Sequence, residues 1–155
     1  MTAQHFQKVV NISLTGTFNV ISQLVPRMSV QPPDEDGERG VLITVSSAAA
    51  FDGQEGQIAY SAAKGAIASM TLPLARDLSH WGIRAVSIAP GMFGTNMVAG
   101  MADKVKESLN RSLEFPARPG RPEEFARLVQ QVFENGMLNG TVIRLDGASR
   151  MPSRM

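Results

Sequence analysis

Residues 40–64, GVLITVSSAAAFDGQEGQIAYSAAK, constrain this chain more than any other stretch. They open with a run rich in β-branched residues (Val41, Ile43, Thr44, Val45), break at Ser46-Ser47, cross a Gly/Gln loop and enter a helix at about Ala59. Tyr60 and Lys64 are four residues apart, which on a helix stacks them on one face. Ser47 stands 13 residues before Tyr60, where the strand ends. In an open parallel sheet, ligands collect at the carboxyl ends of the strands. The pattern therefore predicts a hydroxyl, a phenol and an ammonium converging on one small volume.

Those three groups suit one kind of chemistry. A free tyrosine has a pKa of about 10, too high for acid–base work near neutrality. A neighbouring lysine ammonium favours the phenolate and brings that pKa down. Tyr60 would then pass a proton to or from the oxygen of a carbonyl/alcohol pair, while Ser47 holds the same oxygen and stabilises its developing charge. No side chain here accepts a hydride, so a redox cofactor is required. A Tyr-x-x-x-Lys pair by itself is more often an ordinary helix-surface pair than a catalytic one. What sharpens the reading is the strand before Ser47 and a second strand that runs into Ala89-Pro90-Gly91-Met92-Phe93-Gly94-Thr95.

The rest of the chain frames an α/β fold. Phe6, Val9, Val10, Leu14, Phe18, Ile21 and Val25 recur at helical spacing over 3–29, with a kink or stop expected at Pro26. Residues 31–39 read as a solvated acidic loop. Strands are expected at 40–46, 83–89 and 140–146, and helices at 59–79, 101–113 and 122–135, the last opened by Pro122 and Glu123-Glu124. The apolar run at 40–46 reads as a strand buried on both faces. Strands alternating with helices imply parallel βαβ units. At 155 residues with 43% apolar and 19% charged side chains, one globular domain is expected. A net charge of +1 gives no reason for a nucleic-acid partner. The absence of cysteine excludes disulfides and suits a reducing compartment, here read as the cytoplasm. No apolar run is long enough for a membrane span, and neither His5 nor His80 has metal-ligand spacing, so no membrane and no metal are expected.

The motifs GQEGQIAYSAAKG (53–65), MTLPLARDL (70–78), IAPGMFGT (88–95), FPARPGRPEEFARLV (115–129) and NGTVIRLDGASRM (139–151) resemble the short-chain dehydrogenase/reductase superfamily. Within it they are most similar to the type 2 3-hydroxyacyl-CoA dehydrogenases. The resemblance implies the C-terminal half of a Rossmann-type, doubly wound parallel sheet, its last three strands with flanking helices. Residues 1–155 would then be a partial domain without the dinucleotide-binding half, because no G-x-x-x-G-x-G or G-x-G-x-x-G follows a strand here. Alone, such a chain is expected to bind a dinucleotide poorly and to leave the edge of its first strand open.

By the same resemblance, Tyr60 is the general acid/base, Lys64 lowers its pKa and binds the nicotinamide ribose, and Ser47 orients the substrate oxygen. Pro90, Gly91, Phe93 and Thr95 would line the nicotinamide end, and Gln57 the substrate mouth. NAD is the implied cofactor, with NADP as the alternative. The implied partners are an acyl-CoA substrate and further copies of the chain, in a dimer or tetramer built on the helices at 3–29 and 59–79, where Ala59, Ala62, Ala63, Ala66 and Ala68 permit close approach. Met92, Met97, Val98, Met101, Leu109 and Leu113 read either as a mobile lid or as plain core. Two positions depart from the family pattern. Ser13 stands where an asparagine usually supports a proton-relay water, and Asn96 where proline is common. Other readings also stay open: a 3-oxoacyl-carrier-protein, acetoacetyl-CoA or hydroxysteroid substrate, or a non-catalytic fragment that contributes only oligomerisation surfaces.

Overall fold

The sheet is built around β2 (Ile83–Pro90), in which every residue from Ile83 to Ala89 is buried because a strand lies on each side of it. The computed structural model describes residues 1–94 and 113–153. β1 (Gly40–Val45) runs parallel to β2, from Gly40 opposite Ile83 to Val45 opposite Ile88. β3 (Val142–Leu145) runs parallel on the other side, from Val142 opposite Ser87 to Leu145 opposite Pro90. The expected three parallel strands are thus one sheet in the order β1-β2-β3, flanked by helices. The expected helix at 101–113 lies, except for Leu113, outside the described residues.

The helices cover both faces. α1 (Ala3–Val10) and α2 (Gly16–Met28) are joined by a π-helical segment, Asn11–Thr15, into one rod. Ile21 of α2 packs with Ala75 and Leu78 of α3 (Ile58–Leu78) against Leu42, Ile83 and Ala85. α4 (Pro122–Glu134) takes the opposite face, met by Arg84, whose side chain points away from Ile83 and Ala85. Both α2 and α3 carry an internal proline. Pro26 lies in the last turn of α2, which stops at Met28, two residues later than the proline would suggest.

Two expectations are corrected. Phe18 does not join the inward stripe: it is 54% exposed, while Ile21 is buried. The wider turn, in which the N–H of Gly16 reaches back to the carbonyl of Asn11, precedes both residues; within α2 the inward row runs through Thr17, Ile21 and Val25, and Phe18 stands outside it. Nor is β1 buried on both faces. Leu42, Thr44 and Ser46 are buried, but Val41 and Ile43 are only half-buried and Val45 is exposed, because β1 is an edge of this sheet.

Candidate functional site

The carboxyl end of β1 passes directly into the site. Ser46 continues the inward alternation of Leu42 and Thr44, is buried, and extends the ladder with its N–H on the carbonyl of Ile88 (2.8 Å). Its hydroxyl donates to the carbonyl of Lys64 (2.8 Å), which fastens the first turns of α3 to the strand end. Ser47 is half-buried and caps the short 3-10 turn Ala48–Ala50, its Oγ accepting the N–H of Ala49 (3.1 Å). That contact occupies a lone pair and leaves the hydroxyl hydrogen to be donated elsewhere.

Tyr60 lies in the first turn of α3 and is 39% exposed. The Lys64 ammonium sits 5.9 Å from the centre of its ring and donates to the carbonyl of Val45 (2.8 Å). The i,i+4 pair is therefore turned toward the end of β1, two residues from Ser47. Burial pushes the Lys64 ammonium below the usual lysine range. It has three N–H groups, and among the described residues one hydrogen bond, to Val45, engages them. The remaining donors suit the vicinal hydroxyls of a ribose.

The other anticipated residues divide. Pro90 ends β2 opposite Leu145, and the N–H of Gly91 donates to the Leu145 carbonyl (2.9 Å). A Cβ on Gly91 would lie 2.8 Å from Cβ of Asp146, so glycine is required by the C-terminal segment that crosses it. Phe93 turns its ring against Gly120 and meets Phe125 edge-on at 6.0 Å, so packing fixes its side chain. Gln57 precedes α3, but its side chain closes on Gln54, Oε1 accepting the Gln54 N–H (3.0 Å), so it shapes the loop and does not project from it. Thr95 lies outside the described residues, as do Asn96, Met97, Val98, Met101 and Leu109. Met92 and Leu113 line a cavity of about 190 Å³ with Phe93, Arg118, Glu124 and Asp146. Ser13 falls inside the π segment, where its carbonyl accepts the Thr17 hydroxyl (2.7 Å). Of the alanines thought free for helix pairing, Ala59, Ala63 and Ala68 are buried within the chain, Ala66 is half-buried and Ala62 is exposed.

A family model described as short chain dehydrogenase matches residues 1–106. The chain belongs to that family. This short-chain dehydrogenase is 54% identical to a Bos taurus protein named 3-hydroxyacyl-CoA dehydrogenase type-2, over 97% of this chain and 58% of the relative. A crystal structure of 3-hydroxyacyl-CoA dehydrogenase type-2 from Mycobacterium avium superposes with a TM-score of 0.92 at 38% identity, covering 99% of this chain and 59% of that one. A 3-oxoacyl-[acyl-carrier protein] reductase with bound NAD from Brucella melitensis gives a TM-score of 0.82 at 28% identity, over 98% and 54% of the two chains. The short-chain dehydrogenase described here thus spans somewhat more than half the length of the relatives it matches. No helix among its described residues is long and apolar enough to cross a membrane.

Sequence reasoning missed two groups in this short-chain dehydrogenase. Ser46 was legible, since it continues the every-second-residue burial of β1. The cluster of Arg144, Asp52 and Asp146 was not, because 92 residues separate Arg144 from Asp52 and no spacing rule joins them.

Proposed function

We propose that this chain carries the catalytic end of a cytoplasmic, NAD-dependent oxidoreductase that interconverts a secondary alcohol and a ketone, with 3-hydroxyacyl-CoA and 3-oxoacyl-CoA as the substrate pair. The supporting observation is the Lys64 ammonium, half-buried at the end of β1 and 5.9 Å from the Tyr60 ring. In the oxidative direction Tyr60, as phenolate, takes the proton of the substrate hydroxyl. In the reductive direction the phenol returns it to the same oxygen. Ser47, whose Oγ is oriented by the Ala49 N–H, donates its own hydrogen to that oxygen. Lys64 holds the ribose, and the backbone at Pro90, Gly91 and Phe93, with Thr95, borders the nicotinamide. A nicotinamide dinucleotide supplies the two-electron chemistry when bound, with NADP as the alternative nucleotide.

The test is the chain joined to the dinucleotide-binding half of a type-2 3-hydroxyacyl-CoA dehydrogenase, incubated with NAD and a 3-hydroxyacyl-CoA, followed by absorbance of the reduced nicotinamide. Turnover is expected, and Tyr60→Phe should lower it by on the order of 10²–10⁴ with an unchanged melting temperature. A joined wild-type protein without turnover, or a fully active Tyr60→Phe in it, would overturn the reading.

A second reading has its own observation. Ile12, Phe18 and Val20 are more than half exposed along the first rod, apolar side chains that contacts in a dimer or tetramer would cover. A chain that only contributed this surface would assemble with a larger dehydrogenase subunit and show no turnover alone. Light scattering of the chain with and without such a subunit separates the two readings.

A further inference from the structure

Three strand exits meet at one guanidinium. Arg144, on β3, donates from Nη1 to Asp52 Oδ1 (3.2 Å) and from Nη2 to Asp52 Oδ2, on the loop that follows Ser47. Its Nε donates to Asp146 Oδ2 (2.6 Å), and Asp146 is the residue packed against Gly91 beyond β2. Nη2 also reaches the Ser149 carbonyl (3.3 Å), and the guanidinium lies 5.2 Å from the centre of the Phe51 ring. Farther along, the C-terminal segment is laced to the same loop: Gln54 Nε2 donates to the Pro152 carbonyl (3.0 Å) and the Glu55 N–H to the Ser153 carbonyl (3.0 Å). From Gln54 the connection runs on to Gln57, whose carbonyl accepts the N–H of Ser61, next to Tyr60 (2.7 Å).

We propose that Arg144 is a positioning residue for the Ser47–Tyr60 site: by clamping Asp52 and Asp146 together it sets the loop of residues 51–57, and with it the entry of α3, against the C-terminal segment. The proposal rests on the function given above, and its planar fork is what the geometry uses, since a lysine offers no equivalent bidentate grip. Arg144 touches no reacting atom in this account; it acts through the loop.

The test compares Arg144→Gln, Arg144→Lys and Asp52→Asn in the full chain. Hydrogen exchange of the amides at 48–57 should rise on the order of tenfold in Arg144→Gln, with the amides of Leu42, Ala85 and Val86 unchanged. KM for the acyl substrate should rise on the order of tenfold, with a smaller fall in kcat. Arg144→Lys should recover only part of this, and the Arg144→Gln/Asp52→Asn double variant should be no worse than Arg144→Gln. Unchanged loop exchange overturns the proposal, and so does an equal rise throughout the sheet, which would make Arg144 merely structural. If Tyr60→Phe is inactive while Arg144→Gln keeps wild-type KM and kcat, the positioning role alone fails. If the wild-type chain joined to a dinucleotide-binding half shows no turnover, the proposed function fails, and the loop exchange of Arg144→Gln still decides whether the clamp exists.

Discussion

Arg84 at the amino end of the sheet and the Ser47, Tyr60 and Lys64 set at its carboxyl end treat polar groups in opposite ways. At the amino end, Arg84 is buried within β2 and every part of its guanidinium is engaged. Nε and Nη2 grip the Glu38 carboxylate at 2.7 and 2.9 Å, and Nη1 takes the carbonyls of Val132 and Leu138, both at 2.9 Å. Nη2 also reaches the Phe133 carbonyl at 3.2 Å, so the open last turn of α4 is closed by the strand beneath it. Beside it, Gly82 adopts φ +67° to let Gly37 cross. At the carboxyl end, Ser47, Tyr60 and Lys64 remain accessible, with hydrogen-bonding capacity left over. The contrast separates groups that the fold consumes from groups that it presents.

Substitutions at the two ends test that contrast, beginning with the largest effect. Arg84→Met should cost about 3 kcal/mol of unfolding free energy, because it strands the Glu38 carboxylate and the α4 carbonyls. An unfolding free energy within about 1 kcal/mol of wild type would break the comparison. Gly82→Ala should cost about 2 kcal/mol, since its Cβ would fall 2.1 Å from the Gly37 carbonyl oxygen in a left-handed conformation. The same measurement on Tyr60→Phe should stay within about 0.5 kcal/mol of wild type, while turnover collapses.

Acid sharpens the comparison further. The Arg118 guanidinium, helped by the Arg121 N–H, lowers Glu124 to about 2, and hydrogen bonds from Arg144 hold Asp52 below the usual carboxylate range. Both values are depressed by folding, so each contribution is present above the ordinary carboxylate pKa and is lost as pH falls through the folded one. For Glu124 that window runs from 4.5 down to about 2. Stability should decline across it, and Glu124→Gln should flatten the decline in a series of thermal melts at stepped pH.

Much of the fold was legible because backbone periodicity writes it locally. The β-branched runs became β1, β2 and β3 within about two residues of the expected bounds, and α3 and α4 began at Ile58 and Pro122. The pairing of Tyr60 with Lys64 follows from four residues of helix, and their turn toward Val45 follows from the strand–loop–helix order. Phe18 was misjudged because helical spacing alone leaves the width of the inward row open, and in α2 that row runs through Thr17, Ile21 and Val25. The packing of Gln57 on Gln54, and of Phe93 on Gly120 and Phe125, was not legible, because only the folded loops bring those partners near.

The sequence by itself determined a parallel α/β sheet and a Ser/Tyr/Lys set at the carboxyl end of its first strand, since strand alternation and helical stacking are properties of neighbouring residues. Tertiary structure alone decided that Arg84 would close α4, that Ser46 would fasten α3 to β1, and that Arg144 would join three strand exits. Those contacts link residues that the chain keeps far apart, and their partners are chosen by packing geometry and by the cost of leaving a buried polar group unpaired.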